Sequence, residues 1–253
     1  MRALWVSFLR WLLLVGAALL ALQLFFIGRI ALMAVVDPQS TSFERSEALR
    51  IVREKGDLKW RQQWVAYDAI SDNLKRAVIA SEDGDFVYHG GVEWEAIEKA
   101  WQKNTKAEQQ AAQQVTQQAS KPTPSGKTKR TKIVGGSTIT QQLAKNLLLS
   151  GERSLLRKGQ ELVLTVTLET FLSKQRILEI YLNNVEWGEG VFGAEAAAQH
   201  YFRKSAAQLS AYEAARLAVM LPAPKRYERL PNSGYLSSRA STIAARMGDA
   251  ELP

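Results

Sequence analysis

Cysteine is absent from the 253 residues, which excludes a disulfide framework, a thiolate nucleophile and a Cys-ligated zinc site. Histidine occurs only twice, as His89 and His200, too rarely for a histidine-rich metal site. Acidic residues are in deficit, with 25 Asp and Glu against 33 Lys and Arg, and the formal net charge is +8. Such a surplus invites a nucleic-acid partner, but it is unevenly placed. Residues 1–36 hold only Arg2, Arg10 and Arg29 as charges, and residues 102–132 hold seven Lys or Arg and one Glu, which leaves the rest at −1. The basic tract contains seven Gln and no aromatic residue, so it lacks the interleaved rings on which bases stack, and no nucleic-acid partner is expected.

What the chain does have is one long apolar run. Trp11 to Gly28 is 18 residues without a charge, about 27 Å as a helix and enough for a bilayer core. The apolar character continues past Arg29 to Val36 without a small-x-small cleavage site, which favours an uncleaved anchor over a signal peptide. Arg2 and Arg10 precede the run and only Arg29 closely follows it. The positive-inside bias then predicts a single pass with the N-terminus cytoplasmic and the body outside, which in a bacterium is the periplasm or the outer face.

Beyond Glu44, helical periodicity dominates and strand-like alternation is scarce. Helices are expected around 70–82, 93–103, 138–149, 155–173, 174–183, 191–201, 210–221 and 236–247, with Pro222, Pro224 and Pro231 breaking the chain before the last. Residues 102–132 cannot bury enough apolar surface to offset their ordering entropy and read as a loop inserted between two helices.

Three patches could carry chemistry. The first runs from Asn73 to Gly91 and places Glu82, Asp83 and Asp85 at a helix end, with Gly84 as the expected C-terminal cap. A carboxylate in the last turn meets the negative end of the helix dipole, has acidic neighbours and is partly desolvated; all three effects raise its pKa, as suits a general acid or base. In the second, Gly135 to Asn146, a glycine turn feeds a helix with Thr138 and Gln141 at capping-box spacing. Gln142, Lys145 and Asn146 share its polar face, and Ile139, Leu143 and Leu147 its apolar one. In the third, Arg153, Arg157, Lys158 and Glu161 open another helix. Taken singly, each patch reads more readily as a solvated helix end or face than as a site.

In combination they say more. EDGDFVYHGG, GGSTITQQLAKN, RKGQE with Leu168 and Glu169, and KQRILEIYLN from Lys174 to Asn183 occur in the order found in peptidoglycan glycosyltransferases. With a weaker last motif from Arg239 to Met247, residues 65–247 resemble glycosyltransferase family 51. The stretch between the first two motifs is longer than usual, and the Gln-rich tract accounts for it. The resemblance implies a mainly α, lysozyme-like domain with a small membrane-proximal jaw lobe, preceded by one transmembrane helix. It divides the chain into tip and anchor (1–36), linker and membrane-proximal segment (37–64), glycosyltransferase domain (65–247) and tail (248–253), with no room for a transpeptidase domain.

The resemblance further implies polymerisation of lipid II, with inversion at C1 of the donor MurNAc and release of undecaprenyl pyrophosphate. Glu82 is then the base and Glu161 the second acid. Lys145, Arg157 and Lys158 neutralise the leaving group, with Ser137, Thr138, Gln141, Gln142 and Asn146 as hydrogen-bonding partners. Asp83, Phe86 and His89 shape the site, although His89 reads equally as a structural histidine, and Tyr181 and Asn183 read as scaffold. No cofactor is required, a divalent cation (Mg or Mn) near the pyrophosphate being admitted. The expected partners are lipid II, the growing glycan strand, the membrane, and cell-division or elongation proteins. Two competitors remain: a lytic glycosidase, which has no need of cations around a leaving pyrophosphate, and a membrane-tethered binder of acidic polymers using residues 102–132.

Overall fold

A computed structural model describes residues 2–94, 98, 102, 105, 137–149 and 154–253. The helix expected over 93–103 and the insertion at 102–132 lie largely outside the described residues, as do Gly135 and Arg153. The first helix, α1 (Arg2–Leu32), includes a stretch, Leu4–Leu32, with mean hydropathy 2.3, long and apolar enough to cross a membrane. Its outer part is exposed, whereas at its base Ile30 and the following Met33 are buried in the core of the body.

Among the described residues the further helices are α2 (Ser42–Lys55), α3 (Asp72–Glu82), α4 (Ile139–Leu148), α5 (Leu155–Phe171), α6 (Lys174–Asn184), α7 (Ala194–Phe202), α8 (Ala211–Met220) and α10 (Gly234–Arg246), with a short α9 (Pro224–Glu228) before the last. Side-chain caps set many of the starts, because the first turn of a helix leaves N–H groups without partners. Thr41, Thr138 and Ser210 close full capping boxes, and Ser71, Ser154 and Ser173 cap α3, α5 and α6. Pro224 sits in the first turn of α9, where its missing N–H costs nothing.

Helix α8 is the centre of the body. Ala214, Ala215, Leu217 and Ala218 are buried between α3, through Leu74, Ala77 and Val78, and α10, through Leu236, Ala240 and Ile243. Small residues on α8 let three helices approach closely, and truncating one of the larger partners to Ala would cost about 2–5 kcal/mol.

A small sheet of order β1-β3-β2 closes one side, from β1 (Arg61–Gln62), β2 (Glu186–Gly188) and β3 (Val191–Phe192). Strand β1 runs parallel to β3 and β2 antiparallel to it. Gly190, at φ +72°, allows β1 to approach: a Cβ there would lie 2.0 Å from the Lys59 carbonyl oxygen.

Several expectations are corrected. The helix expected from 191 starts at Ala194, because Val191 and Phe192 are strand residues and Gly193, at φ +81°, breaks the chain between them and α7. Helix α2 was not anticipated; only Glu44 and Ile51 of its residues are buried, so it shows almost no apolar stripe. Gly84 does not cap α3: Asp83 occupies that position at φ −163°. Within 37–64, the linker and membrane-proximal segment, β1 joins the sheet and Trp60 stacks on Phe192 at 4.4 Å. The tail also packs, with Ala250 buried and its carbonyl accepting from Arg76.

Candidate active site

Glu82 is the last residue of α3, half-buried at the end of the helix. Burial pushes its carboxyl above the usual carboxylate range and the neighbouring Asp83 adds to the effect, against one hydrogen bond from Gln142. That bond comes from α4: Gln142 Nε2 donates to Glu82 Oε2 at 3.0 Å, and Tyr181 of α6 donates its hydroxyl to Gln142 Oε1 at 3.0 Å. Three helices thus meet in a chain from Tyr181 through Gln142 to Glu82. Because a tyrosine hydroxyl fills the acceptor end of the amide, the donor end is turned to the carboxylate.

Beside this chain lies a cleft of about 530 Å³, lined by Ser137, Gln141, Gln142, Lys145 and Asn146 from α4 and its entry, and by Arg157, Lys158 and Glu161 from α5. Its remaining walls include Phe43, Ser46, Val185, Glu186, Leu221 and Pro224. Glu161 is buried and faces two cations, Lys158 Nζ in direct contact and Arg157 Nη1 at 3.5 Å. Arg157 Nε is buried and has no hydrogen-bond partner among the described residues. Lys145 opens to solvent at the cleft mouth; the surrounding protein depresses its pKa, Arg157 and Lys158 add to this, and Glu161 opposes it. The lining is net positive, with Lys145, Arg157 and Lys158 against Glu161 and Glu186.

The first and second motifs are laced together beneath the cleft. Asp83 Oδ2 accepts from the Ile139 N–H at 2.9 Å, and Asp83 Oδ1 lies 2.7 Å from His89 Nε2. His89 Nδ1 accepts from the Gly91 N–H at 3.0 Å, so Nε2 carries the ring proton and donates to Asp83. Both nitrogens are used within the protein, in keeping with a structural histidine. Phe86 is fully buried against the His89 ring and under Lys174 Nζ, 4.5 Å from its centroid.

The family model described as Transglycosylase matches residues 50–133 and 125–248. The chain belongs to the transglycosylase family. Similar proteins include the biosynthetic peptidoglycan transglycosylases of Paraburkholderia phytofirmans, 51% identical over 96% of this chain and 94% of that protein, and of Burkholderia thailandensis, 52% identical over 96% and 88%. That of Bordetella pertussis is 50% identical over 91% of this chain and 88% of its own length. The two pieces of the family match meet inside the Gln-rich tract.

Most of the residues singled out in the sequence of this transglycosylase come together, with one change of emphasis. Thr138, grouped with the hydrogen-bonding partners of a ligand, is buried: its hydroxyl caps α4 and donates to the Gly91 carbonyl at 2.6 Å. Ser137, Gln141, Gln142, Lys145, Asn146, Arg157, Lys158 and Glu161 do line the cleft. Sequence reasoning missed Tyr181 as the group that sets the Gln142 amide. It also missed Glu169, which accepts from Thr140 at 2.6 Å and Lys174 at 2.8 Å and fills the space where a Gly91 Cβ would fall, 2.7 Å from Glu169 Cγ. The signal for Tyr181 was its place in a motif beside the interior, but only folding reveals which amide it meets.

Proposed function

We propose that this transglycosylase polymerises lipid II into glycan strands with Glu82 as general base. Peptidoglycan glycosyltransferase activity in cell-wall synthesis follows from the family and from relatives named for it. In the finer reading, Glu82 takes the proton from the 4-hydroxyl of the acceptor GlcNAc, and that oxygen attacks C1 of the donor MurNAc with inversion. The C1–O bond to the pyrophosphate breaks and undecaprenyl pyrophosphate leaves. Preorganised cations at the developing charge are the largest lever such a reaction has, and Lys145, Arg157 and Lys158 are the groups that supply it. Glu161 holds Arg157 and Lys158 in place. Ser137, Gln141, Gln142 and Asn146 offer polar contacts along the cleft, while Asp83, Phe86, His89 and Thr138 hold the motifs together.

The observation that carries this reading is the pairing, in one place, of a cation-lined cleft with a carboxylate of raised pKa whose hydrogen-bond donor is an amide. A carboxylate made more basic by burial is well matched to accepting a hydroxyl proton. A divalent cation does not fit beside Glu161, whose oxygens already face Arg157 and Lys158, and no three His, Asp or Glu among the described residues form a metal-binding group.

The apolar helix serves as the anchor, with its N-terminus cytoplasmic and the cleft on the periplasmic side of a bacterial inner membrane. A substrate confined to the bilayer by a prenyl chain is best met by an enzyme held at the same surface, which raises their effective concentration. Contact with cell-division or elongation proteins belongs to the same reading.

The test is to incubate purified protein with lipid II and follow glycan polymer. Wild type is expected to form polymer that muramidase digests, and Glu82→Gln none. An unchanged rate in Glu82→Gln overturns the base; degradation of preformed glycan, with no polymer made, makes the protein a lytic enzyme.

A further inference from the structure

The base of the anchor holds a second cavity, remote in character from the cleft. It measures about 220 Å³ and is lined by Arg29, Leu32, Met33 and Val36 from the end of the apolar run and by Arg45 from α2. Arg29 directly follows the 18 uncharged residues, so if the helix spans a bilayer its guanidinium lies at the level of the headgroups. Leu32 and Val36 are 56% and 48% exposed and form an apolar part of the cavity's rim.

Among the described residues neither Arg29 nor Arg45 forms an ion pair. Arg29 has no ion-pair partner among the described residues, only the Phe25 ring at 5.9 Å. Arg45 bonds neutral oxygens alone, the Ser40 carbonyl at 3.2 Å, Ser40 Oγ at 2.9 Å and Ser42 Oγ at 3.1 Å, which leaves N–H donors unspent. The one acid in the lining, Asp37, is already paired with Arg176 at 2.7 Å. Two guanidiniums around a cavity with an apolar lip match a phosphodiester that carries acyl chains, since guanidinium binds phosphate through paired N–H donors.

We propose that this cavity is a binding site for the headgroup of an anionic phospholipid, with Arg29 and Arg45 on the phosphate and Leu32 and Val36 forming the apolar part of its rim. It rests on the anchor reading given above. The site is separate from the substrate cleft, shares no residue with it, and makes the enzyme's stability and seating depend on the charge of the surrounding lipid.

The test uses the full chain in neutral detergent and follows its thermal midpoint against added phosphatidylglycerol, phosphatidylcholine or inorganic phosphate, because a ligand of the native state raises that midpoint. Phosphatidylglycerol is expected to raise it, phosphatidylcholine less, and inorganic phosphate at equal concentration not at all. Each of Arg29→Gln and Arg45→Gln should weaken the apparent affinity about fivefold, as expected for one cation at an anionic lipid surface, and the double variant should lose the preference. Lys145→Gln, which alters the cleft, should leave the response intact. Retention of the preference in the double variant, its loss in Lys145→Gln, or an equal rise with inorganic phosphate would each overturn the site. Release of the protein from vesicles by alkaline carbonate would instead show that the helix does not span, a failure of the anchor reading that is distinguishable from a bilayer-bound protein indifferent to lipid charge.

Discussion

Two glutamates stand near the same cleft in opposite surroundings. Glu82 ends α3 with one amide donor, an acidic neighbour and burial, and its pKa is raised. Glu161 is buried between Lys158 and Arg157 and pairs with both. The difference teaches that the carboxyl group does not assign the role; its partners do. The first is suited to moving a proton and the second to holding cations where an anion is to be stabilised.

The comparison can be broken most decisively by neutralising each acid in turn. Glu82→Gln should lower polymerisation by about 10²–10⁴-fold, the usual worth of a general base, with lipid II binding retained when measured by equilibrium titration. Glu161→Gln should instead disturb both KM and kcat, because its loss frees Lys158 and Arg157 to move; equal kinetic signatures for the two variants would erase the distinction. A bell-shaped pH profile should follow from the same groups. Activity is lost as pH falls through the raised pKa of Glu82, at higher pH than an ordinary carboxylate would give, because the base becomes protonated. It is lost again as pH rises through the depressed pKa of Lys145, below the ordinary lysine range, because the cation is neutralised.

A smaller effect isolates the amide. Tyr181→Phe removes the hydroxyl that orients Gln142 and should lower kcat several-fold, about 1 kcal/mol for one hydrogen bond. It should also move the acid limb upward, since the Gln142 bond is what lowers the Glu82 pKa. A drop in rate with an unmoved limb would leave Tyr181 as packing alone. The smallest effect concerns an acid outside both roles. Glu186 is buried in the cleft wall, with Lys225 Nζ 3.3 Å from Oε1, and burial pushes its pKa up to about 7. A folded pKa above the unfolded one gives stability that is lost as pH rises towards 7. Glu186→Gln should therefore raise the thermal midpoint at pH 8 and change it little at pH 5.

How much of this was legible in the sequence differs by element. The apolar periodicity of α3 and α4, the Thr138–Gln141 capping box and the polar face of Gln142, Lys145 and Asn146 could be read directly, because they depend on neighbours within a turn or two. The cations and acids of the cleft were recognisable from motif order. Phe43, Ser46 and Glu186 were not, since they reach the cleft from α2 and β2, whose positions depend on tertiary packing. Helix α2 itself has too few buried residues to print an apolar stripe, and Gly84 misled because Asp83, held by His89 and the Ile139 N–H, ends α3 without a left-handed turn.

One contact at the anchor has a mechanical consequence. Gln23, within the apolar run, and Gln160 of α5 exchange two amide hydrogen bonds, at 2.8 and 3.1 Å. Each amide serves the other as donor and acceptor, which fixes the face of the helix that meets α5. The anchor then acts less as a leash than as a keel. The depth and heading of the catalytic body are set by which face of the helix carries Gln23, so a replacement helix of equal hydropathy would tether the protein without aiming it.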